Sequence, residues 1–189
     1  VESAPDFITL DGSEGGTGAA PLSLVDYMGL PITESLPVLV DILTEYDLRD
    51  RIKVIAGGKL VTPAEVAWAL CVGADFINSA RGFMFSLGCI QALRCHLNTC
   101  PTGITSHDKR YTQGLDPTYK SVRVANYARN IEYEVGVISH SCGVKEPREL
   151  RREHARIVTE TGLSISLAEL YPCKQPGIKL KYLEQALRH

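Results

Sequence analysis

Three cysteines fall close together in the run Cys89-x5-Cys95-x4-Cys100-Pro101. Thiolates are soft ligands suited to an iron–sulfur cluster, zinc or copper(I). A close run of thiols closed by proline is one form that iron–sulfur sites take. The run lacks the C-x2-C pairs of zinc knuckles. His96, beside Cys95, could add a fourth zinc ligand, although adjacent residues on a helix point in different directions. Three thiols leave one corner of a four-iron cube without a ligand, which fits a three-iron, four-sulfide cluster. Three unrelated thiols are the plain alternative.

Three loops carry a second kind of chemistry. Gly12-Ser13-Glu14-Gly15-Gly16-Thr17-Gly18 holds more glycine than a turn needs. It suits a backbone lying close to a flat or anionic ligand, with Glu14 at the mouth. Gly57-Gly58-Lys59 and Ser79-Ala80-Arg81-Gly82 each follow a short apolar run. Without a Cβ, glycine lets an anion approach backbone N–H groups, and a helix N-terminus adds its dipole. The guanidinium of Arg81 is a fork donor suited to phosphate.

The elements around these loops alternate. Asp6–Leu10, Lys53–Ala56 and Asp75–Asn78 read as short strands. A short helix is expected over Pro21–Gly29 and a longer one over 32–48, with Thr33 as a candidate cap and an apolar stripe at Leu36, Leu39, Val40 and Leu43. Thr62-Pro63-Ala64-Glu65 combines cap, first-turn proline and capping-box acid, and starts a helix that stops at Gly73. Strand–helix alternation of this kind implies parallel βα units. Their ligand-binding residues sit in the loops after the strands' carboxyl ends, where all three glycine-bearing loops fall. Beyond Gly82 the pattern turns helical: 83–97, then a long helix from Asp116-Pro117 to about Ile138, then a charged helix over 147–158 and a capping-box turn at Ser166–Glu169.

Composition is that of an ordinary globular chain, with 44% hydrophobic and 22% charged residues among 189. The formal net charge of −2 gives no whole-chain argument for nucleic acid. The chain is too long and too ordinary in composition to need its six cysteines as disulfide staples, and a reducing, cytoplasmic compartment is expected.

The runs EGGTGAAP at Glu14–Pro21, LRDRIKVIAGGK at Leu48–Lys59, VAWALCVGADFINSARGFM and GCIQALRCHLNTCPTGI at Gly88–Ile104 resemble, in order and spacing, the FMN-binding domain of glutamate synthase. The later stretch RVANYARNIEYEVGVISHSCGVKEPREL looks like the C-terminal extension of stand-alone members. The resemblance implies an α/β fold: the C-terminal part, about strands six to eight, of an FMN-binding (β/α)8 barrel over residues 1–105, with a helical extension over 106–189. It implies FMN and a [3Fe–4S] cluster as cofactors, with reduced FMN passing a hydride to 2-iminoglutarate formed from 2-oxoglutarate and ammonia. By position, Cys89, Cys95 and Cys100 match the cluster ligands. Gly57, Gly58, Lys59, Ser79, Ala80 and Arg81 match the FMN phosphate loops. Gly15, Gly16, Thr17 and Gly18 match the loop beside the isoalloxazine, with Glu14 the catalytic candidate.

Two departures bear on the substrate. Glu14 stands where the family usually carries Asp, and GGKLVT replaces GG-x-x-T-G. Making N-methylglutamate is therefore a second reading, and a non-catalytic metal-binding scaffold a third. A whole barrel needs about 250 residues, so the chain is expected to be a fragment of a longer enzyme and inactive alone. Expected partners are the missing N-terminal part of the barrel, ammonia or glutamine-derived nitrogen, and an electron donor such as ferredoxin or an NAD(P)H-linked subunit. Open barrel edges suggest self-association.

Overall fold

A computed structural model describes residues 5–15 and 28–177. Gly16, Thr17, Gly18 and most of the expected 21–29 helix lie outside them. Three parallel strands, β1 (Phe7–Asp11), β2 (Lys53–Gly57) and β3 (Phe76–Ile77), form a sheet in sequence order. Register pairs Asp11 with Gly57 and Ala56 with Ile77, so the three strands end along one edge. Helix α1 (Ile32–Glu45) connects β1 to β2, and α2 (Pro63–Val72) connects β2 to β3. The mixed α/β architecture with parallel strands is as expected.

The core lies between the sheet and these helices. Leu36, Val40 and Leu43 of α1, Val54 and Ala56 of β2, and Val66, Ala69 and Val72 of α2 are all buried. Each such aliphatic side chain contributes about 1.5–3 kcal/mol. Leu39 is only partly buried at the margin of this stripe. Along β1, Ile8 and Leu10 pack inward while Phe7, Thr9 and Asp11 are exposed.

Helix α2 begins as its residues dictate. Thr62 Oγ1 accepts the Glu65 N–H, and the Glu65 carboxylate accepts the Thr62 N–H at 2.8 Å. Helix α1 is different. Pro31 holds its cap position without a side-chain bond, and Thr33 lies inside the first turn. The Glu14 carboxylate accepts the Ile32 N–H instead, both oxygens at 3.1 Å. Pro37 has no N–H for the Thr33 carbonyl, and the Tyr171 hydroxyl approaches that carbonyl at 3.5 Å.

Two expected helices are corrected. Helix α3 spans Ala80–Leu87 rather than 83–97; Gly88 closes it at φ 103°. Gln91 and Leu93 then take positive φ, so the cysteine-bearing chain leaves the helix, with only a 3-10 turn at Cys95–Leu97. The 147–158 segment is two 3-10 turns, Pro147–Glu149 and Arg152–His154, followed by β4 (Arg156–Val158), which pairs antiparallel with β5 (Ser164–Ser166). Leu150 and Arg152 are both buried, although residues two apart on a helix point in different directions, so a helix with one face in solvent would not bury both.

A short α4 (Lys109–Thr112) precedes α5 (Pro117–Ser141), capped by Asp116 and packed on α2 and α3. Val135 of α5 and Leu167 of α6 (Leu167–Leu170) join the main core. Among the described residues no helix is long and apolar enough to cross a membrane.

Candidate functional site

The carboxyl edge of the sheet opens into a cavity of about 420 Å³. Glu14, Gly15, Gly57, Gly58, Lys59, Ser79, Ala80 and Arg81 all line it. Three loops separated by tens of residues in sequence therefore meet at one place. Thr9, Asp11, Ile77, Asn78 and Phe83 complete the lining.

Two glycines shape this cradle by lacking a side chain. Gly58 has φ 129°, and a Cβ there would sit 2.9 Å from the Ile32 Cβ and 3.1 Å from the Gly12 nitrogen. A Cβ on Gly15 would run into the Asp11 carboxylate. Lys59 follows with a left-handed φ of 56° and an exposed side chain. Arg81 donates to the Glu14 carbonyl at 3.3 Å and so ties the first loop to the third.

Helix α3 starts at the cavity with no side-chain cap. Its first N–H groups have no intrahelical acceptor, the normal state of a helix start. Ser79 occupies the cap position, yet its hydroxyl is turned away, at 2.5 Å from the Leu60 carbonyl and 2.8 Å from Tyr127 Oη. Open backbone donors, the positive end of a helix dipole and a guanidinium together suit an anion such as phosphate. The cradle and this donor set fit the phosphate end of a flavin nucleotide.

Glu14 is at the rim, where the sequence places it, but its carboxylate is engaged by the Ile32 N–H. The cysteines lie apart from the cavity lining. Cys89 and Cys95 are partly exposed, Cys100 is buried, and all three are free. Among the described residues no three His, Cys, Asp or Glu side chains converge as a metal site. The three thiols as they stand thus do not form the closed ligand set that their spacing suggests. Burial opposes a thiolate at Cys100. Hydrogen bonds from the Thr102 hydroxyl and the Thr105 and Thr102 amides outweigh it and bring the thiol down to about 6. Elsewhere, burial with Cys142 nearby pushes Cys71 up to about 11, as expected of an inert core thiol.

Residues 1–145 match the family described as the conserved region in glutamate synthase. The chain is 45% identical over 166 residues to the glutamate synthase large subunit-like protein YerD of Bacillus subtilis, covering 88% of this chain and 32% of that protein. It is 32% identical over 175 residues to the archaeal glutamate synthase [NADPH] of Methanocaldococcus jannaschii, covering 93% and 34%. It is 29% identical over 178 residues to the ferredoxin-dependent glutamate synthase of Pyropia yezoensis, covering 94% and 11%. The chain belongs to the glutamate synthase family. It spans about a third of the length of the first two relatives.

Within this glutamate synthase family chain, the matched region takes in the cavity loops, the cysteine run and all of α5. Sequence reasoning missed Asp11, Asn78 and Tyr127. Asp11 and Asn78 had a usable signal, because both stand at or just past a strand's carboxyl end. Tyr127 had none, since it lies on a helix far along the chain.

Proposed function

We propose that the chain contributes the FMN phosphate site to an FMN- and iron–sulfur-dependent glutamate synthase-like oxidoreductase. In this reading residues 1–105 are the last part, about strands six to eight, of a (β/α)8 barrel, and 106–189 are its extension. The carrying observation is the meeting of the three glycine-bearing loops on one cavity beside the uncapped start of α3. When bound, FMN would supply hydride transfer to 2-iminoglutarate.

The chain's own residues bind and orient. Gly57, Gly58 and Lys59 present a backbone cradle on one side, and Ala80 and Arg81 present amides and a guanidinium on the other. Ser79 acts through its place in the chain, its hydroxyl being tied elsewhere. Gly15, with Gly16, Thr17 and Gly18, would flank the flavin ring. Glu14 stands at the rim, and a proton-transfer role for it would require releasing Ile32. Cys89, Cys95 and Cys100 are proposed for a [3Fe–4S] cluster on thiol chemistry and spacing, and the loop must close for them to meet. Binding of 2-oxoglutarate, the nitrogen source and the ferredoxin- or NAD(P)H-linked electron donor belong to the rest of a longer enzyme acting in the cytoplasm.

The test is flavin, iron and sulfide analysis of the full-length protein with an FMN titration of its flavin-free form. Bound FMN whose affinity falls about tenfold in Arg81→Ala, as for loss of one charge-assisted pair, is expected. A full-length protein that takes up no FMN would overturn the proposal.

A further inference from the structure

Tyr127 reaches from α5 to the loops after β2 and β3. Its hydroxyl donates to the Val61 carbonyl at 2.7 Å and lies 2.8 Å from Ser79 Oγ. Ser79 in turn donates to the Leu60 carbonyl at 2.5 Å. The two hydroxyls have one proton each for three contacts, so Ser79 and Tyr127 hydrogen-bond each other only when one of them gives up its carbonyl, and the cluster gathers the loop after β2, the loop after β3 and α5 at a single point. The fit is built for this ring. A Cβ on Gly82 would collide with Tyr127 Oη, so only glycine admits the hydroxyl there. Phe83 meets the ring edge-on, with centroids 5.0 Å apart and planes at 83°.

The bridge has a consequence at the cavity. Held toward Leu60 and Tyr127, the Ser79 hydroxyl does not bond the first amides of α3. A serine at this position ordinarily would. Those amides therefore stay open to an anion, and the two loops that bear them and the glycine cradle keep a fixed spacing.

We infer that Tyr127 is a positioning residue for the phosphate site, holding both loops in register and Ser79 away from the open end of α3. The inference rests on the phosphate reading of the cavity given above. It makes the extension a working part of the site, although Tyr127 is not among the residues lining the cavity.

The experiment compares FMN with riboflavin, which lacks the phosphate, by fluorescence titration of the flavin-free full-length protein. Tyr127→Phe keeps the ring and its contact with Phe83 while removing the hydroxyl. It is expected to lower the preference for FMN over riboflavin about fivefold, the effect of one lost hydrogen bond, with riboflavin affinity unchanged. A merely structural role would weaken both flavins alike. Ser79→Ala removes the other half of the bridge and carries the same expectation should Tyr127→Phe fail to fold. A folded variant that keeps the wild-type preference, or loses both flavins equally, overturns the positioning role and leaves the phosphate reading standing. A wild-type protein with no preference for FMN overturns the phosphate reading and this inference with it.

Discussion

The two edges of the β1–β3 sheet treat polar groups in opposite ways. At the amino edge they satisfy one another. Asp75 accepts the Val54 N–H at 2.8 Å and pairs with Arg49 at 2.9 Å, and Arg49 donates to the Gly73 carbonyl at 2.6 Å. Arg152, 5% exposed, pairs with Asp41 at 2.6 Å and donates to the Tyr171 carbonyl at 2.8 Å. At the carboxyl edge the glycine loops and the start of α3 leave donors facing a cavity. The larger cavity, about 520 Å³, lies at the amino edge, lined by Asp41, Arg49, Asp75 and Arg152. Size does not decide function here: these four charges already have partners, whereas the first amides of α3 at the smaller cavity have no side-chain cap. Closed polar networks hold a fold; open ones receive a ligand.

Breaking the amino edge should give the largest loss of stability. Arg152→Ala strands Asp41 and a carbonyl in a nearly dry place, and removing one partner of a buried pair costs about 3–5 kcal/mol. Urea denaturation of the full-length protein reads the loss, while the FMN-over-riboflavin preference of the folded fraction stays at the wild-type value. A drop in that preference would mean the two edges are not separable.

Gly58→Ala sharpens the contrast from the other side. Its φ of 129° is one that side chains rarely adopt, and the new methyl would press on Ile32 and Gly12. A strained backbone position of this kind costs about 1–3 kcal/mol. The variant should lose less stability than Arg152→Ala and much more FMN affinity. Full FMN affinity in Gly58→Ala would remove the cradle from the site.

These variants also mark what the sequence disclosed. The cavity was legible because parallel βα units put ligand loops at strand ends, and glycine after a strand needs no partner to be noticed. The α2 start was legible because Thr62, Pro63 and Glu65 act within one turn. The contacts that were not legible join distant segments. Arg152 reads as one more charge on a solvated helix until Asp41 and the Tyr171 carbonyl are found around it. Tyr127 and Gly82 explain each other only in space. Thr33 reads as a cap, but the helix starts before it, where Glu14 arrives from another loop and takes the Ile32 amide. In the cysteine run, left-handed Gln91 and Leu93 override an apolar pattern that reads as helix.

The smallest expected effect separates the helix starts of α2 and α3. That of α2 is closed by its own residues, and that of α3 is open. Thr62→Ala should therefore cost about 1 kcal/mol, the usual worth of a cap, and leave the flavin preference alone. Its partner adds a pH signature. Partial burial works against the Glu65 carboxylate, but the Thr62 and Val61 amides, the Thr62 hydroxyl and Lys59 more than offset this and hold it below the ordinary 4.5. A carboxyl lowered on folding stabilises fully above its unfolded value, and that contribution is lost as pH falls through the folded one. Denaturation midpoints of wild type and Glu65→Gln should thus differ most at neutral pH and converge at pH values below 4.5. A gap that persists unchanged into acid would show that the Glu65 charge is not what closes α2.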